Sequence, residues 1–174
     1  MNSFLRKINL IKDITIQLPI TKTEFIQKFR NHVDESDLGY VPFEVFQSST
    51  NEYKGNIQNN TFELKKRKKI FDTNYSFAKV IGEIIQEGNE LTINVEIVGF
   101  RKRILLFGVM ILLFYLLFFV GAISNDDAFP FFILPFLMIH MSVMLVIPYF
   151  VIRRSVNRMA YDLERDFHYW VTKR

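Results

Sequence analysis

Two long stretches without charge constrain this chain more than anything else in its sequence. From Ile104 to Ile123 the run ILLFGVMILLFYLLFFVGAI holds 20 consecutive uncharged residues. As an α-helix it reaches ~30 Å at about 1.5 Å per residue, the thickness of a bilayer's hydrocarbon core. From Ala128 to Ile152 another 25 residues pass without Asp, Glu, Lys or Arg, which suits a second span with tilt or a kink. A soluble core helix keeps a polar face, and neither stretch has one. The pattern predicts transmembrane helices over 101–123 and 128–152, joined by an extracytoplasmic turn at 124–127.

The flanks set the expected orientation. Arg101, Lys102 and Arg103 abut the first span and Arg153 and Arg154 abut the end of the second, while the turn carries Asp126 and Asp127 and no base. The excess of bases on the cytoplasmic side of membrane proteins then puts both termini in the cytoplasm. The first hundred residues contain no long apolar run, so no signal peptide is expected there.

The same flanks account for the net charge of +4. Residues 1–100 hold thirteen bases and thirteen acids, so the basic surplus belongs to the membrane borders. Nucleic acid is therefore not an expected partner, because binding it calls for a basic face on the soluble part. Cysteine is absent, which excludes disulfides, thiolate metal sites and a cysteine nucleophile.

Residues 1–100 read as a cytoplasmic α+β domain. KDITIQLP alternates Ile14, Ile16 and Leu18 with polar residues and stops at Pro19, the period of a half-buried strand. Thr21 and Glu24 stand at capping-box spacing, and Phe25, Ile26, Phe29 and Val33 follow at helical intervals, predicting a helix over 22–33. HVDESDLGYVP reads as a polar loop. Strands are expected at FEVFQS (43–48), EYKGNIQ and TFELKKRK around an Asn59–Asn60 turn, and SFAKVIGEIIQ and ELTINVEIV around Gly88–Asn89. Such an order gives a mostly antiparallel sheet with one N-terminal helix, one C-terminal helix and the transmembrane hairpin inserted before the last helix.

That last helix, 153–174, sets Val156, Ala160, Leu163, Phe167 and Trp170 on one face. It could lie in the membrane interface with Trp170 at headgroup depth, or fold back onto the sheet. The second is favoured, since Asp162, Glu164 and Asp166, read as its polar side, do not suit an anionic membrane surface.

The stretch from Tyr53 to Ile123 resembles a family of small bacterial two-span membrane proteins with an N-terminal cytoplasmic α+β domain. Gly55, Phe62, Leu64, Ser76, Phe77 and Gly82 carry the likeness; Ala78 and Lys79 follow the Ser-Phe pair where that family has a Pro. The resemblance implies the layout and a bacterial inner or cell membrane location. It implies no catalytic or cofactor-binding residue.

Three groups of residues are candidates for function. Lys65, Lys66, Arg67, Lys68 and Lys69 form the densest charge run and read either as an anionic-lipid contact or as an edge strand guarded by lysines. His32 with Asp34, Glu35 and Asp37 could gather a cation, but more commonly such a group is a solvated helix end, and the rest of a coordination shell has no candidate. His140 lies 12 residues in from Ile152 and Tyr115 11 in from Ile104, so both sit ~17 Å deep and are expected to pair across the hairpin. Gly108 and Ala122 share the Tyr115 stripe and would allow the helices to approach closely. Met138, Met141 and Met144 turn steadily around the second span and read as apolar filling rather than a copper path.

No nucleophile elbow, phosphate loop or metalloprotease His pair occurs. The expectation is a membrane-anchored binding or interaction domain, with no cofactor or metal, that meets membrane lipid and a protein or small ligand on its sheet. The alternative is an oligomeric channel or transporter subunit using His140, which two helices cannot form alone.

Overall fold

The structure, a computed structural model, describes residues 2–39, 46, 49–67, 76–100, 102–124 and 133–172. The elements run α1 (Asn2–Lys7), β1 (Ile11–Leu18), α2 (Lys22–His32), β2 (Val33–Glu35), β3 (Tyr53–Gln58), β4 (Thr61–Lys66), β5 (Lys79–Glu87), β6 (Glu90–Val98), α3 (Lys102–Ser124) and α4 (Ile133–Thr172). They form two compact units, Met1–Gly99 with Ile152–Arg174, and Phe100–Val151.

The first unit is α+β, with six strands in the order β1-β6-β5-β4-β3-β2. All neighbours are antiparallel except β2 and β3, which run parallel. The hairpins follow from local chemistry. Asn59 takes φ 54° between β3 and β4, and Gly88 takes φ 62° between β5 and β6, left-handed values that Asn tolerates and Gly adopts freely. Thr21 caps α2 by accepting a hydrogen bond from the Glu24 amide, satisfying one of the donors that a helix start leaves open.

Alternation along the strands separates the two faces of the sheet. Register aligns Ile16, Ile93 and Ile84 in one row of the inner face and Ile97, Val80 and Leu64 in another, all buried. Phe25 and Phe29 of α2 and Phe167 of α4 cover them, with Phe25 edge-on to Phe167 at 5.3 Å and Phe29 against Phe62 at 5.3 Å between ring centres. Burying each such ring contributes about 1.5–3 kcal/mol. Two glycines make room: a Cβ on Gly82 would stand 2.1 Å from the Phe62 ring, and one on Gly99 would stand 2.4 Å from Val156 Cγ2.

Four readings of the sequence are corrected. The N-terminus adds a short helix, α1, whose Leu5 is buried and whose Arg6 binds Asp13 and Glu96. HVDESD is not all loop, because Val33–Glu35 pairs with Tyr53–Gly55 as a short edge strand. The last helix does not start at 153: Ile133–Thr172 is helical throughout, so Arg153 and Arg154 lie inside a helix. Nothing in that stretch stops it, since Pro148 is its only internal breaker and a proline is tolerated where the freed backbone groups find other partners. Ser124, assigned to the turn, belongs to α3. The strand at 43–48 lies outside the described residues apart from an exposed Phe46, as do Asp126, Asp127 and the first residues of the second apolar run.

In the second unit α3 and the first part of α4 are long and apolar enough to cross a membrane. Most of their side chains are exposed in the chain alone, the reverse of a soluble core.

Candidate functional site

The tail of α4 lies on the inner face of the sheet and is held there by polar pins among the aromatics. Ser155, near the start, accepts a hydrogen bond from the Phe77 amide at 2.7 Å and meets the Ser76 hydroxyl at 2.9 Å. Further along, Lys66 donates to Asp162 at 2.9 Å, and Tyr53 donates to Asp166 at 2.6 Å. Tyr53 and Lys66 are register partners on β3 and β4, and Asp162 and Asp166 are one helical turn apart, so two rungs of sheet meet two rungs of helix. Arg165 bridges both carboxylates, 3.5 Å from Asp162 and 2.8 Å from Asp166. Near the end of α4, Trp170 stacks on His32 at 4.8 Å, and Lys28 donates to the Trp170 carbonyl.

Burial drives the Tyr53 hydroxyl far above its ordinary pKa, and the hydrogen bond to Asp166 pushes the same way. The phenol therefore stays protonated as a donor. The described groups satisfy one another, and their chemistry is that of a lock on helix register. The acids of the tail do not share one solvent face: Glu164 is exposed, but Asp162 is buried and Asp166 half-buried. Helical spacing contained the signal, because Ile152, Ser155, Met159, Asp162 and Asp166 succeed one another at steps of three and four. Trp170 is likewise buried, with its ring in the core.

The basic run of β4 divides. Lys66 is committed to Asp162, with Glu52 at 3.8 Å, and this corrects its assignment to a lipid surface: β4 alternation turns it to the inner face. Arg67 binds Asp34 at 2.6 Å, and Lys65 donates to the Leu38 carbonyl. Lys68 and Lys69 lie outside the described residues. Asp34 also accepts from Ser49 and Asn51. Burial opposes its charge, but those two hydrogen bonds and Arg67 prevail and hold its carboxyl below the ordinary aspartate value. Asp34 and His32 thus serve different neighbours, and the described residues include no cluster of three or more His, Asp or Glu suited to a metal ion. Of the residues expected to set topology, Arg101 is outside the described set, Lys102 and Arg103 start α3, Arg153 is half-buried and Arg154 exposed.

The outer face of β1, β6 and β5 is open. It forms a shallow bowl of about 600 Å³ lined by Thr15, Thr61, Ile81, Glu83, Asn94 and Glu96 among others. Ile81 and Ile85 are exposed on this face of β5, and Thr15 donates to the Asn94 side-chain oxygen. A second hollow, of about 380 Å³, opens beside Phe29, Val33, Glu35 and Gly55 at the β2 edge. Sequence reading missed both, since a concavity depends on which strands lie side by side.

Within the apolar unit, Tyr115 and His140 Nδ1 are hydrogen-bond partners. Tyr115 is buried although most of its helix is not. The less exposed positions of α3, Ile104, Gly108, Ile111 and Tyr115, share one stripe, as do Leu137, Met141 and Leu145 on α4. Gly108 does not serve close approach inside the hairpin, because a Cβ there would meet open space.

No protein-family model, no curated protein and no solved structure matches the chain. Function must therefore be read from the geometry.

Proposed function

We propose that this is a two-span membrane protein whose α+β unit is a binding module, held at the cytoplasmic face and docking a partner on the outer face of β1, β6 and β5. One observation carries the reading: the sheet seals one face under α2 and α4 and leaves the other open, with Ile81 exposed in a concave surface and Ile85 exposed on the same strand. Exposed apolar side chains beside hydrogen-bonding groups such as Glu83 and Asn94 fit a protein surface with apolar and donor groups. The two apolar helices support membrane residence, and the bases flanking them support cytoplasmic termini.

Photo-crosslinking residues at Thr15, Ile81 or Glu83 in intact membranes should give a discrete adduct, and the same group at Tyr161 or Glu164, on the exposed side of α4, should not. Adducts of equal yield at both sets, or at neither, would refute the docking face. Because the chain has no cysteine, orientation is tested separately. An impermeant thiol reagent should label Asp126→Cys in intact cells and Lys22→Cys only after lysis.

A further inference from the structure

The Tyr115 bond satisfies only one of the two ring nitrogens of His140. Nε2 has no hydrogen-bond partner among the described residues, and the ring is exposed on the side of its hairpin. It stacks on Phe136 at 6.3 Å with 12° between planes. Phe136, His140, Val143 and Ile147 follow at steps of four, three and four, and all four are exposed. This stripe is distinct from Leu137, Met141 and Leu145, which are shielded within the hairpin.

Given the membrane reading above, that nitrogen sits ~17 Å from the cytoplasmic border, where no water competes and an unsatisfied polar group is costly. With the Tyr115 hydroxyl donating to Nδ1, the neutral ring carries its proton on Nε2 and needs an acceptor at the same depth. The hairpin's described side chains offer none: the Ser142 hydroxyl, two residues on, turns back to the Met138 carbonyl at 2.9 Å. A second copy inserted in the same direction supplies a group at matching depth automatically, because a two-fold axis along the membrane normal sets each residue level with its own mate.

We propose that the hairpin self-associates as a parallel two-fold dimer through the Phe136, His140, Val143 and Ile147 stripe. The two His140 rings share one Nε2–H to Nε2 hydrogen bond. In one copy Tyr115 donates to Nδ1 and Nε2 carries the proton. In the other Nδ1–H donates to the Tyr115 oxygen, leaving Nε2 as acceptor, and that hydroxyl turns its proton to a helix carbonyl. Both rings remain neutral and every ring nitrogen is used. The polar site is incomplete without the second copy, and the flat Phe136 ring beside each imidazole adds packing area at the seam.

The absence of native cysteine makes the test direct. In full-length protein in native membranes, oxidation should give covalent dimers of Phe136→Cys, Val143→Cys and Ile147→Cys, and not of Leu137→Cys, Met141→Cys or Leu145→Cys. Adding His140→Leu to Val143→Cys should lower the dimer yield roughly fivefold, while His140→Asn, which can both donate and accept, should keep more of it. Equal yields on both stripes, no dimer at any position, or a yield indifferent to His140→Leu would overturn the dimer, as would crosslinks to a different protein at these positions. Alkaline extraction separates the two claims: protein that stays in the membrane without dimers refutes only the association, whereas protein that is extracted refutes the membrane reading itself.

Discussion

Asp162→Asn would strand the Lys66 ammonium. In the native chain the two side chains are 10% and 7% exposed and 2.9 Å apart. The substitution leaves Lys66 a neutral amide oxygen in place of a carboxylate, and the anion still in reach, Glu52 at 3.8 Å, is half-exposed, so solvent screens most of its attraction. Breaking a buried ion pair by removing one partner costs about 3–5 kcal/mol. The residual Glu52 contact places the expected loss near ~3 kcal/mol, roughly a hundredfold in the folding equilibrium. The double variant Lys66→Met with Asp162→Leu removes both charges and keeps the volume, so it should fall within about 1 kcal/mol of the parent. Trp170 is the only tryptophan and is buried against His32, so denaturation in mild detergent followed by its fluorescence reports release of the α4 tail. Glu164→Gln, on the exposed side, is the control. A cost below about 1 kcal/mol for Asp162→Asn, or a double variant as unstable as the single, would refute the buried pairing of Lys66 with Asp162.

Gly82→Ala should destabilise the domain by about 1–3 kcal/mol through overpacking against the Phe62 ring, and by less in a Phe62→Leu background, as measured in the same fluorescence titration. The carboxyl of Asp34 titrates below its ordinary value in the folded chain, so its contribution is complete above roughly pH 4 and is lost as the pH falls further. Protection from amide exchange at Ser49 and Asn51, relative to an unstructured chain at the same pH, should fall in that acid range in the parent and should be low at all pH values in Asp34→Ala.

Much of the fold is legible locally because its causes are local. Thr21 caps the helix three residues before Glu24, Asn59 and Gly88 supply left-handed turns, and the alternation of Leu91, Ile93, Val95 and Ile97 declares a strand with one buried face. The β2 strand is not legible in the sequence because three residues have no period, and only their parallel pairing with β3 makes them a strand. α1 is six residues long with a single buried side chain, too little to stand out from a loop.

The site divides in the same way. Depth along two apolar runs was enough to bring Tyr115 and His140 level, since rise per residue fixes depth whatever else the helices touch. For Lys66, composition suggested a surface base. Its partner Asp162 lies 96 positions away, and a charge run cannot reveal a carboxylate folded onto it from that distance.

By itself, then, the sequence determined the α+β class, the hairpin of apolar helices and the turns, because periodicity, chain stiffness and solvation act within a few residues. Only the tertiary structure decided that Asp162 and Asp166 of the last helix turn inward while Glu164 stays outside, that one sheet face is sealed and the other open, and that His140 has a second nitrogen to satisfy. Those outcomes depend on which distant groups share one low-dielectric space, where a charge is tolerated only beside its complement.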